Sequence, residues 1–212
     1  MHKWLLIALI FSLNSYAEIG EISELRGNGE VLRKDQSDKL LAKTALGILS
    51  YDDVRTGNGR IGITFLDSTI IRLTEHSKII IDEYIYDPDP SKSKMALKMA
   101  SGTARFITGA LGKIDKQNIK IRTPSATVAV RGTDFTTTVD ELGRSLVILL
   151  PNSDGSSSGE ITVETMAGIE VLNQPFQATM VSMSESPPTK PVTLSNMTLG
   201  FIDNLLIVTP PD

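Results

Sequence analysis

Apolar and polar residues alternate with a period of two along most of the chain. Ile61, Ile63 and Phe65 are interleaved with Arg60, Gly62 and Thr64, Ile119 and Ile121 with Lys120 and Arg122, and Leu146, Ile148 and Leu150 follow the same rule near Arg144. Successive side chains of an extended strand point to opposite faces, so each segment predicts a strand with one buried face. β-branched residues dominate these segments, and turn chemistry interrupts them every 8–12 residues or so. The turns are Gly57-Asn58-Gly59, Asp67-Ser68, Asp87-Pro88-Asp89-Pro90, Gly109 to Gly112, Asp140 to Gly143 and Asn152-Ser153-Asp154-Gly155. The pattern predicts an all-β fold of about ten to fourteen short strands with little helix, and the even spacing suits a β-solenoid or a sandwich-like domain equally.

Three segments break the pattern. Lys3, the apolar run Trp4 to Leu13 and the small residues Ser15 and Ala17 form a signal peptide over residues 1–17, with cleavage leaving Glu18 as the new N-terminus. The apolar run is shorter than the ~20 residues that span a bilayer. This predicts a periplasmic or secreted protein. The segment Asp154 to Gly159 is Gly and Ser after the acid and reads as an exposed, flexible loop. Ser184 to Pro191 carries three prolines, which ends the β domain at residue 183 and leaves 184–212 as a Pro-rich break and tail. Within that tail, Ser195-Asn196-Met197-Thr198 could cap a short helix through Leu206.

Composition narrows the chemistry. The 212 residues carry 21 Lys and Arg against 25 Asp and Glu, a net charge of −4, without basic runs. Nucleic acid is not an expected partner, because binding it requires clustered cations. Cysteine is absent, which removes disulfides, thiolate nucleophiles, Cys-based zinc sites and a lipid-attachment residue. No later run of ~18 apolar residues predicts an integral membrane segment.

Tests for catalytic or ligand chemistry mostly fail. Gly57-Asn58-Gly59-Arg60-Ile61-Gly62 matches G-x-G-x-x-G but opens a strand, whereas the dinucleotide motif needs a helix N-terminus. His76 is the only histidine beyond the leader and reads as a solvated turn residue. No Gly-x-Ser-x-Gly elbow occurs. Among acid pairs, Asp82-Glu83 would diverge to opposite faces of a strand, and Asp52-Asp53 and Asp87 with Asp89 read as turn acids. The Asn152 to Gly155 loop lacks the first and last acids of a calcium loop. These readings predict no metal and no cofactor. Tyr84 and Tyr86, two apart on a strand, form the best candidate for an exposed binding face, and cross-strand packing is the competing reading.

Two runs together carry a family resemblance. Gly59 to Leu73 followed by Ser77-Lys78-Ile79, and then Thr123-Pro124-Ser125-Ala126-Thr127-Val128-Ala129-Val130-Arg131-Gly132-Thr133-Asp134-Phe135, resemble the FecR-like domain over roughly Val54 to Val139. The resemblance implies a β-rich extracytoplasmic module. Its founding type is a membrane-spanning sigma regulator that relays an iron-siderophore signal. This chain shows neither that type's cytoplasmic region nor its membrane helix. Thr123, Pro124, Arg131, Gly132, Thr133, Asp134 and Phe135 are expected to act as fold markers. Thr123-Pro124 would end a strand, Arg131 would satisfy nearby carbonyls at a Gly132 bend, and Phe135 would pack inward. The expected function is a non-enzymatic envelope module for binding, sensing or structure, with an envelope protein or glycan as partner. The alternatives are a carboxylate-dependent enzyme acting on polysaccharide, with Asp134 and a second acid, and the periplasmic half of a two-protein signalling pair.

Overall fold

A computed structural model describes residues 17–34, 39–87, 89, 92–113 and 118–195. The leader therefore falls outside the described residues except for Ala17, as does the tail helix expected from residue 196 onward. Among the described residues seventeen strands form. In chain order they are β1 (Gly20–Arg26), β2 (Gly29–Leu32), β3 (Lys39–Leu41), β4 (Gly47–Ile48), β5 (Asp53–Thr56), β6 (Arg60–Phe65), β7 (Ile70–Leu73) and β8 (Lys78–Ile85). There follow β9 (Lys94–Ile107), β10 (Ile119–Arg122), β11 (Thr127–Arg131), β12 (Asp134–Val139), β13 (Ser145–Leu150), β14 (Glu160–Thr165), β15 (Gly168–Leu172), β16 (Gln177–Val181) and β17 (Val192–Thr193). A 3₁₀ turn, Leu111–Lys113, follows β9. Very short strands such as β4 and β17 bring the count above the sequence expectation.

Hydrogen bonding sorts the strands into two layers. The first runs β4-β1-β6-β7-β9-β12-β13-β16-β17. The second runs β3-β2-β5-β8-β9-β10-β11-β14-β15. Every pairing is antiparallel except β9 with β10. The fourteen residues of β9 belong to both layers, so all strands share one continuous sheet that leaves its edges open. Successive strand pairs alternate between the layers, so the winding suggested by even strand spacing and the face-to-face packing of a sandwich coexist.

The passage of β9 between layers depends on one residue. Met95, Leu97 and Met99 point inward in the second layer, and Ala104 and Phe106 point inward in the first. Between them Gly102 adopts φ +85°, and a side chain there would overlap Ser77. Only glycine meets both conditions without strain. Ser77 Oγ accepts the Thr103 N–H at 3.0 Å across this bend.

Inward residues of both layers merge into one core that includes Ile63, Ile71, Phe106 and Phe135 from the first, and Val54, Ile81, Leu97, Val128 and Ile161 from the second. Thr137 sits in this core with no exposure, and its Oγ1 has no hydrogen-bond partner. Thr137→Val keeps the shape and removes an unsatisfied hydroxyl, so it should stabilise the domain by about 1 kcal/mol in urea unfolding.

Two segments are more ordered than their composition predicts. Residues 184–195 extend the domain past residue 183. Thr189 N–H donates to the Met180 carbonyl at 2.9 Å, β17 pairs with β16, and Leu194 covers a small outer cluster of Ile148, Leu150 and Ala178. The Gly/Ser loop is anchored as well. Ser158 Oγ donates to the Leu150 carbonyl at 2.6 Å and accepts the Asp134 N–H at 3.0 Å.

Candidate functional site

The second signature run builds a joint between the layers. Strand β10 ends at Arg122, and Thr123-Pro124-Ser125-Ala126 turns the chain into β11. Thr123 Oγ1 accepts the Ala126 N–H at 3.0 Å and the Ser145 hydroxyl at 2.7 Å. The buried Ser125 and Ser145 hydroxyls lie 2.7 Å apart. This cluster ties a second-layer turn to the first residue of β13 in the first layer.

At the far end of β11 the chain crosses back. Gly132 takes φ +55°, a conformation costly for a residue bearing a Cβ. Thr133 follows, its N–H donating to Thr108 Oγ1 at 2.8 Å and its carbonyl accepting the Thr108 N–H at 3.0 Å. Asp134 then receives a two-point contact from Arg105, Nε to Oδ1 at 2.9 Å and Nη2 to Oδ2 at 2.7 Å. Arg105 is only 8% exposed. Phe135 points inward and stacks on Phe106 with ring centroids 4.8 Å apart.

Arg131 does not bind nearby carbonyls as expected. It is exposed, and among the described residues its guanidinium makes no hydrogen bond or ion pair. It ends β11 on the solvent side, and Arg105 on β9 fills the role of the buried cation. Sequence reasoning missed Arg105. Its signal was an arginine in the stretch Ala104-Arg105-Phe106 flanked by core residues, where a cation needs a partner.

The tyrosine pair does not share an exposed face. Tyr84 is 7% exposed and Tyr86 50%. A bulge between Ile81 and Glu83 breaks the alternation, so Tyr84 turns inward while both Asp82 and Glu83 stay on the outer side. This also corrects the expectation that Asp82 and Glu83 diverge. Asp82 pairs with Lys98 at 2.9 Å and Glu83 with Lys94 at 2.8 Å.

Tyr84 instead closes the aspartate turn of the first signature run. Asp67 is buried, and its N–H donates to the Tyr84 oxygen at 3.0 Å. Its carboxylate accepts Thr69 Oγ1 at 2.7 Å and the Leu111 N–H at 3.2 Å. Burial, then the Asp67 charge, push the Tyr84 phenol well above its ordinary value of 10.0. Its contribution to stability is therefore complete below pH 10 and lost as pH rises through the folded-state value. Tyr84→Phe orphans a buried donor and should cost about 1–2 kcal/mol at pH 7. In melts above pH 10 the gap between wild type and variant should narrow.

The remaining acids are engaged locally. Asp52 is buried and accepts the Leu49 N–H at 2.9 Å, and its carboxyl is raised chiefly by burial. Asp53 faces outward and holds Arg55 at 2.7 Å and Lys78 at 3.2 Å. Asp87 Oδ1 accepts the Asp89 N–H at 2.8 Å. Asp154 accepts the Ser156 N–H and hydroxyl, which hold its carboxyl below the usual range. His76 is exposed in a turn at φ +54°. The Gly57-Asn58-Gly59 turn opens β6, a strand. Among the described residues no three His, Cys, Asp or Glu side chains gather as a metal site, and no helix is long and apolar enough to cross a membrane.

Two surface concavities border the first layer. One, of about 400 Å³, lies over the joint and is lined by Arg105, Thr108, Lys113, Thr133, Asp134 and Asn152, among others. The other, of about 370 Å³, lies across β1, β6 and β7.

These features define a two-layer, helix-poor β module whose most distinctive polar residues lie where the chain changes layers. Residues 52–153, from the residue before β5 to the loop after β13, match the family model described as FecR protein. Two crystal structures of a candidate anti-sigma factor from Parabacteroides distasonis are similar to this chain, at 17% and 16% identity and a TM-score of 0.49 each. Each match covers 65% of this chain and 57% of the other, so the chain spans little more than half the length of that protein. No curated protein matches the sequence.

Proposed function

We propose that this chain is an exported, non-enzymatic FecR-domain module of the bacterial envelope that binds or senses a protein or glycan partner. The observation that carries the reading is the use made of the signature residues. Thr123, Thr133, Asp134 and Phe135 are engaged in joining the layers. Asp134, the acid nominated for catalysis, faces an arginine rather than a second carboxylate, whereas glycoside hydrolysis uses two carboxyl groups ~5–10 Å apart. That leaves the outer strand faces as the surfaces that meet a partner. Residues 1–17 supply the address, with the charge, apolar stretch and small exit residues of a leader.

The test is fractionation of cells expressing the full chain, with N-terminal sequencing of the recovered protein. The expected product begins at Glu18 and appears outside the cytoplasm. A cytoplasmic product retaining residues 1–17 would overturn the reading.

A further inference from the structure

The concavity across β1, β6 and β7 has an unusual electrostatic make-up for an acidic chain. Arg26 stands directly opposite Arg60 in the β1–β6 pair, and Arg72 directly opposite Arg105 in the β7–β9 pair. Like charges directly opposite on one sheet face are destabilising. Two such pairs side by side therefore point to a use for the charge.

Acids offset only part of it. Arg105 is held by Asp134, Arg72 Nη2 meets Glu24 at 3.0 Å, and Arg60 has Glu75 at 3.9 Å. Arg26 is exposed, and among the described residues its side chain makes no hydrogen bond or ion pair. Arg72 Nε is shut off from solvent and has no partner. An arginine carries five donors in a planar fork suited to a two-oxygen acceptor.

The shape is right as well. Gly62 lies between Glu24 and Arg72 in the cross-strand register, and the Glu24 side chain lies down over it, which brings the Glu24 carboxylate across the groove floor to Arg72. A bulge between Ile22 and Glu24 sets Ser23 beside it, with Ser23 Oγ accepting the Thr64 hydroxyl at 2.8 Å. The volume of about 370 Å³ is within the range of small-ligand sites.

We propose that this groove binds an oxyanion between Arg26 and Arg72, the carboxylate of an acidic envelope glycan or a free phosphate. Resting on the binding-module reading, this names the chemistry of the ligand. Glu24 is the built-in competitor, since its carboxylate already takes one of the Arg72 donors.

The experiment is titration calorimetry of the chain beginning at Glu18 with trigalacturonate, inorganic phosphate and the neutral trisaccharide maltotriose. At least one anion should bind, more weakly as salt rises, and maltotriose should not. Trigalacturonate binding far above phosphate identifies a glycan source, and equal binding identifies a small anion. Arg26→Gln and Arg72→Gln should each weaken binding about tenfold, the effect of losing a charge-assisted contact. Thr44→Glu at the exposed rim should weaken it without touching the arginines, Glu24→Gln should tighten it several-fold, and Arg131→Gln should leave it unchanged. Failure of both anions to bind would overturn the proposal. So would equal binding of maltotriose, or unchanged affinity in folded Arg26 and Arg72 variants. A cytoplasmic location would defeat the envelope reading while leaving this binding result intact, and absence of binding would leave the export result intact.

Discussion

Phe135→Ala should lower the stability of the domain by about 4 kcal/mol, the usual scale for truncating a buried aromatic. Phe135 has no exposure, stacks on Phe106 at an interplanar angle of 13°, and lies opposite Phe106 on one neighbouring strand and Leu149 on the other. Its neighbours are held by ladders on both sides and have little freedom to close the void. In a chain of this size the change corresponds to a drop of roughly 10 °C in melting temperature. Unchanged melting would contradict the packing role assigned to this residue.

The second large effect is expected at Asp134. Asp134→Ala leaves Arg105 in place, 8% exposed and stripped of its two-point partner. Removing one member of a buried ion pair costs about 3–5 kcal/mol, much of it the penalty of the charge left behind. The exposed ion pairs on the outer face of the second layer should behave differently. Lys39→Ala, which removes a partner of Glu30 whose side chain is 59% exposed, should change stability by less than about 1 kcal/mol. Both variants can be read in one series of urea unfolding curves.

Particular residues show how far local pattern reaches. The inward positions of Ile61, Ile63, Phe65, Ile119 and Ile121 follow from period-two alternation, because a half-buried strand writes its burial into its own sequence. Phe135 pointing inward belongs to the same class. Tyr84 does not, because a bulge at Asp82 shifts the phase by one residue and nothing local announces it. The Arg105–Asp134 pair was equally hidden. Its partners are 29 residues apart, and the register of β9 against β12 that joins them is set by the fold as a whole. Proline content misled at the C-terminal side. Pro187 and Pro188 lie close to Gly168 at the start of β15, and Lys190 reaches Glu170 at 2.6 Å, so the segment packs against the domain.

The first signature run behaves like the second. Asp67, Thr69 and Tyr84 lock a turn, with Ser68 at φ +67°. Both runs thus mark places where the backbone turns or crosses layers, which is why they identify the fold without identifying a ligand. Partner chemistry is proposed instead at the outer face, where Arg26 makes no hydrogen bond or ion pair among the described residues.

The central claim, that the signature run is the joint between the layers, is tested most directly by a double-mutant cycle on Arg105 and Asp134. Arg105→Met, Asp134→Ala and the double variant would be compared with wild type by urea unfolding. The account predicts that the single changes are each costly and the double costs much less than their sum, with a coupling of about 2 kcal/mol. Additive effects, or an Asp134→Ala protein as stable as wild type, would contradict it.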